Sequence, residues 1–134
     1  SDNNVAPIIL MAHTDVVPID KPTFNDWKAP PFSGDILEES IWGRGSMDDK
    51  GNLIALMESV EKLLHEGYKP NRTIYLAFGH DEEIGGKNGA GFLAKHLKDK
   101  GVHAEFVLDE GGFVLNGIIP GIDDPVALIA TAEK

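Results

Sequence analysis

The sequence predicts an α/β domain of three layers, α/β/α, built on a mostly parallel sheet. Two observations carry that expectation. Short, almost continuously apolar runs, "PIILMA" at 7–12, "RTIYLAFG" at 72–79 and "EFVLD" at 105–109, read as strands covered on both faces. Between them stand segments whose apolar residues recur with the helical period. The order is therefore strand, helix, strand, helix, strand, which right-handed crossovers turn into a parallel sheet.

Each element has its own reason. After the first strand, the stretch from Val17 to Gly34 carries four prolines and reads as an ordered surface loop. "DILEESIWG" at 35–43 alternates enough to suggest a hairpin, with Ser40 near its turn. From Gly51 the period changes: Leu53, Met57, Val60 and Leu64 share one helix face, and Gly67 ends it. "GGKNGAGFLAKHLKDKG" at 85–101 gives a second helix with Ala90, Leu93 and Leu97 inward. "VALIATA" at 126–132 supplies a fourth strand.

The chain of 134 residues is long enough for one domain with its own core. With 22 acidic against 12 basic residues and a net charge of −10, it lacks the basic face that nucleic acid requires. No apolar run approaches the length of a membrane span. The absence of cysteine excludes disulfides and thiolate metal sites.

Four polar clusters fall at special places on this scaffold. His13 and Asp15 follow the first strand, Asp81, Glu82 and Glu83 follow "RTIYLAFG", and Asp109 and Glu110 end "EFVLD". Asp48 and Asp49 stand where the first helix begins. In open parallel sheets ligands bind beyond the carboxyl ends of the strands, so these acids should converge on one rim. Several carboxylates cannot share a dry rim unpaired, because burial and mutual repulsion both oppose ionisation. A cation resolves the conflict. Oxygen and imidazole donors without sulfur suit zinc, cobalt or manganese.

Each cluster also has an ordinary reading. A lone H-x-D is most often a surface pair, but in an extended segment residues i and i+2 share a face. Asp15 is therefore placed to orient a ligating His13. One aspartate at 48–49 is normal helix capping; a second invites a metal, with Asp48 as bridge and Asp49 as structural partner. "DEE" alone reads as a solvated loop. Next to Gly85 and Gly86 it reads instead as a constrained turn in which one glutamate binds metal and the other acts as general base. Asp109 and Glu110 point to opposite sides of their strand, and spacing alone does not choose between them. His65, His96 and His103 read as surface residues, and His80 as structural.

Taken in order, "HTDVVP", "W-x-x-P-P-F-S-G", "IWGRGSMDDKG", "GHDEEIGG" and "LDEGG" resemble the M20 metallopeptidases, the aminoacylase/carboxypeptidase group of co-catalytic zinc hydrolases. Within that group the text is most similar to the carboxypeptidase S branch, which includes N-fatty-acyl-amino-acid hydrolases. The resemblance implies a zinc-exopeptidase-like catalytic domain binding two Zn2+, with Co2+ or Mn2+ as substitutes. His13 resembles the first zinc ligand, Asp15 the carboxylate that orients it, and Asp48 the bridging ligand joined to Asp49 by a cis peptide. Glu82 resembles the general base and Glu83 a ligand of the second metal, while the remaining ligand maps to Asp109 or Glu110. Substrates implied are small peptides or N-acyl amino acids with a free carboxylate. Residues 1–134 then form a single catalytic-domain fragment. A lid or dimerisation domain, through which the whole protein forms a homodimer, and the last histidine ligand lie outside it. The alternatives are a metal-binding domain that is catalytically incompetent, by truncation or by natural loss, and a non-enzymatic α/β binding domain; retention of Glu82 weighs against natural loss, and the lack of a phosphate-cradling glycine loop against the binding domain.

Overall fold

The computed structural model describes residues 5–112 and 114–129. Its centre is a parallel sheet in which β1 (Ile8–His13) lies between β4 (Ile74–Gly79) and β5 (Phe106–Leu108). The register runs from Ile8 opposite Ile74 to His13 opposite Gly79 on one side, and from Ile8 opposite Phe106 to Leu10 opposite Leu108 on the other. β1 feeds α1 (Lys50–His65) and then β4, whereas β4 feeds α2 (Ala90–Asp99) and then β5 across the sheet. The two crossovers run in opposite directions along the sheet, so right-handed connections place the helices on opposite faces. The end of β1 is consequently the point where the winding reverses, which is where such sheets hold ligands. The three-layer α/β/α expectation is met.

Both helices stop by the same device. Gly67 and Gly101 take left-handed φ values of 78° and 72°. Around them Tyr68 N–H donates to the Leu63 carbonyl and Val102 N–H to that of Leu97, the pairing of a Schellman motif. The helix starts agree less well with the sequence. α2 begins at Ala90, five residues later than Gly85, because the intervening glycines turn instead of coiling. On α1, Leu53, Leu56 and Val60 are half-buried, but Met57 and Leu64 are 48% and 59% exposed. The helix rests chiefly on β1. Its last turns overhang an apolar cleft beside β4 lined by Val60, Leu64, Tyr68, Ile74 and Leu76.

Three smaller corrections concern loops and edges. The proline-rich segment contains a short 3-10 helix, Lys21–Asp26, started by Pro22, whose fixed φ suits a first turn. β5 is three residues long and exposed throughout, an edge of the described sheet, so it is not a buried strand. The fourth strand is only Val126–Ala127 (β7), paired antiparallel with Val114–Leu115 (β6) apart from the parallel sheet; residues 130–132 of the expected run lie outside the described residues. The hairpin is as expected, β2 (Asp35–Leu37) against β3 (Ser40–Trp42), with Glu38 and Glu39 turning at φ 51° and 63°. Among the described residues no helix is long and apolar enough to cross a membrane.

Candidate metal centre

The last residue of β1 organises the rim. His13 is 2% exposed, and its main-chain N–H donates to Asp49 Oδ2 at 3.0 Å. Asp49, equally buried, stands at the start of α1 but makes no side-chain cap to that helix. Its carboxylate fastens the helix entrance to the strand end. The neighbouring peptide Asp48–Asp49 is cis, and Asp48 emerges beside the His13 ring.

The imidazole is fixed through its other nitrogen. Nδ1 lies 3.0 Å from the main-chain carbonyl of Asp15, with Asp15 Oδ1 at 3.4 Å. A carbonyl only accepts, so Nδ1 carries the proton, and in the neutral ring Nε2 is a bare lone pair. That lone pair faces Asp48 Oδ1 at 2.9 Å and Glu110 Oε1 at 3.0 Å, with Glu82 Oε2 at 3.9 Å. Among the described residues Nε2 is buried without a hydrogen bond, since the lone pair and the carboxylate oxygens facing it are all acceptors. Three electron-rich atoms from three separate segments thus converge within 4.8 Å of one another, the spread of donors around one cation. The donor set, one imidazole and two carboxylates, matches zinc's nitrogen and oxygen preferences.

The electrostatics register the same crowding. Burial opposes charging of His13, but the Asp15 carbonyl and the carboxylates of Glu110, Asp48 and Asp49 outweigh it and raise the ring's pKa. Glu110 is also raised, first by burial and then by the charge on Asp49, with His13 opposing. Asp15 moves the other way: burial is overcome by hydrogen bonds from the N–H groups of Glu83 and Glu82, and its carboxyl stays below the usual range.

Those last bonds place the acidic turn. Asp15 Oδ1 accepts from Glu82 N and Oδ2 from Glu83 N, each at 3.1 Å. Glu82 leans toward the cluster with its side chain 50% exposed. Glu83 turns elsewhere, its Oε1 accepting the Val17 N–H at 3.2 Å. Of the residues singled out from sequence, His13, Asp48 and Glu110 come together with Glu82 beside them, and Glu83 stands outside the three-residue group. Asp109 accepts the Glu110 N–H at 3.0 Å and lines a cleft with Asp48, Glu110, Met11, Met47 and Leu108. His80 is exposed and absent from the cluster. Asp81, counted among the rim acids from sequence, instead stands outside the cluster, buried against main-chain N–H groups that carry no sequence signal.

Residues 9–123 match the sequence profile of peptidase family M20/M25/M40. The chain belongs to that family. It is 48% identical over 134 residues to the N-fatty-acyl-amino acid synthase/hydrolase PM20D1 of Xenopus tropicalis, of which it covers 26%. Over 117 residues it is 48% identical to carboxypeptidase S of Saccharomyces cerevisiae, covering 20% of that protein. Among solved structures it is similar to the M20 family metallo-carboxypeptidase Sso-CP2 from Sulfolobus solfataricus, with a TM-score of 0.69 and 30% identity. That match covers 86% of this chain and 25% of the other. The chain thus spans about a quarter of the length of these M20 relatives.

Proposed function

We propose that this chain is the metal-binding part of a co-catalytic di-zinc hydrolase that cleaves the amide bond of peptides or N-acyl amino acids bearing a free carboxylate. The observation that carries the reading is the His13 lone pair, buried, without a hydrogen bond, and faced by Asp48 and Glu110. His13, Asp48 and Glu110 would hold the first cation; Asp48, whose side chain is 63% exposed and has a second oxygen to share, would reach the other together with Glu83. When bound, the cations supply Lewis-acid polarisation of the amide carbonyl and acidification of water. Asp15 fixes the tautomer, keeping the proton on Nδ1 so that Nε2 stays free to ligate. Glu82 is the group left to move protons. Its carboxylate is half exposed beside the cluster, takes a proton from the attacking water at Oε2, and returns it to the leaving nitrogen. Cobalt and manganese suit the same donors.

The test is calorimetric zinc titration of the full-length protein with parallel hydrolysis of N-acyl amino acids and dipeptides. Asp48→Ala should abolish tight binding, whereas Glu82→Gln should bind zinc normally and lose about 10²- to 10⁴-fold in kcat. A folded Glu82→Gln that turns over like the parent sinks the assignment of the base, and undiminished zinc binding by Asp48→Ala sinks the metal centre.

A further inference from the structure

Asp81 is 6% exposed and directly precedes Glu82, yet the chemistry above gives it no part. Its carboxylate is engaged by the main chain. Oδ1 accepts the main-chain N–H of Gly89 and Oδ2 that of Asn88, both at 2.7 Å. These are N–H groups at the entrance to α2, a helix with no cap from its own N-cap residue. The Asp81 carbonyl accepts two more, from Gly86 at 2.7 Å and Ile84 at 3.3 Å. One residue therefore gathers four N–H groups and ties the turn 81–89 into a closed loop. The fit leaves no slack, since a Cβ on Gly89 would lie 2.5 Å from Asp81 Oδ1 and 2.9 Å from the His80 nitrogen.

Glu82 sits in that loop and makes its hydrogen bonds through its main chain, while Oε2 lies 3.9 Å from His13 Nε2. Asp15 grips it from the β1 side, through the N–H groups of Glu82 and Glu83. Asp81 grips the same turn from the α2 side. The Glu82 side chain, half exposed, is left to swing over the cluster from a backbone that two carboxylates immobilise. We propose that Asp81 is a positioning residue for Glu82: it sets the general base's distance from the reacting atoms without touching them. This rests on the reading of Glu82 as the base. The role requires a carboxylate, because two donors 2.7 Å away need two acceptor oxygens. Asparagine offers one, and sets an NH2 against an N–H.

The experiment uses the zinc-loaded full-length protein with Asp81→Asn, Glu82→Gln and the double variant. Asp81→Asn should lower kcat about 10- to 100-fold, the range of outer-shell substitutions, with KM and zinc affinity held within about threefold. In the Glu82→Gln background it should have almost no further effect, because residues acting as a unit are not additive. A readout that needs no variant is amide exchange in the native protein, where the Asn88 and Gly89 N–H groups should be protected like helix-core amides. The proposal is overturned if those amides exchange like an open loop, if folded Asp81→Asn keeps its kcat, or if its loss persists in full when Glu82 is already glutamine. Failure of the underlying reading looks different: Glu82→Gln itself would then retain kcat.

Discussion

Gly51, in the first turn of α1, is the most informative single substitution. By helix propensity alone Gly51→Ala should stabilise the protein by about 1 kcal/mol. The structure opposes this. A Cβ at residue 51 would sit 2.4 Å from the Ser46 carbonyl oxygen, a main-chain atom two residues before Asp48. Relieving the contact means moving that peptide by about 1 Å, since carbon and oxygen rarely approach closer than about 3.3 Å. Overpacking of this kind costs about 1–3 kcal/mol, and weakening the hydrogen bond from Gly51 N to the Gly45 carbonyl adds about 1 kcal/mol. The clash wins, leaving a net loss of about 2 kcal/mol, or a melting temperature lower by roughly 6–10 °C for a domain of this size. Because the displaced Ser46–Met47 peptide leads directly into Asp48, zinc affinity should fall about tenfold as well. Urea unfolding in chelator and a zinc titration read the two effects separately. A Gly51→Ala protein more stable than its parent, with unchanged zinc affinity, would show that Ser46 yields freely and that the entrance of α1 does not aim Asp48.

Two further outcomes follow from the same geometry. Asp49→Ala removes the acceptor of the buried His13 N–H and should cost about 2 kcal/mol more than Asp49→Asn, which keeps one oxygen there; equal unfolding midpoints for the two would dismiss that bond. The pH response should change sign with metal. His13 and Glu110 have raised pKa values, so in chelator they stabilise the fold below their ordinary values and lose that contribution as pH rises through the raised ones. Asp15, lowered, contributes above the ordinary carboxylate value and loses it only as pH falls further. Zinc affinity should climb over the same rise, because protons compete for Nε2. Melting curves across pH with and without zinc check this, and parallel trends would contradict it.

Most of the rim is legible in the sequence because its residue types are conspicuous where they stand. A histidine and aspartate after an apolar strand, or paired acids at a helix entrance, demand a reason that ordinary strand and helix chemistry does not give. The choice between Asp109 and Glu110 was not legible. Alternation puts them on opposite faces, but only the pairing of β5 with Ile8–Leu10 decides which oxygen meets His13. Asp49 was legible as a structural partner at the helix entrance, but the group it binds, and the role of Asp81, were not, because their partners are peptide N–H groups, identical at every position in the text. The start of α2 was misplaced because Gly85, Gly86 and Gly89 fit a helical period while preferring turns. Met57 and Leu64 kept the right spacing, yet both stay largely exposed, because α1 rests chiefly on β1 and its last turns overhang an open cleft beside β4.

The position of His13 bears on how the chain folds. Its partners Asp48 and Glu110 lie in the segments before α1 and after β5, so the donors meet only when β1 has paired with a strand formed far later in the sequence. Non-local contacts of this kind are the slow ones, since loop closure must precede any reward. A partly made chain holds histidine and carboxylates but no arrangement of them, and so has weak claim on free zinc. Metal capture would therefore mark the completion of the sheet's topology and stabilise it from that moment by mass action. Until then, the rim's own repulsion works to keep it open.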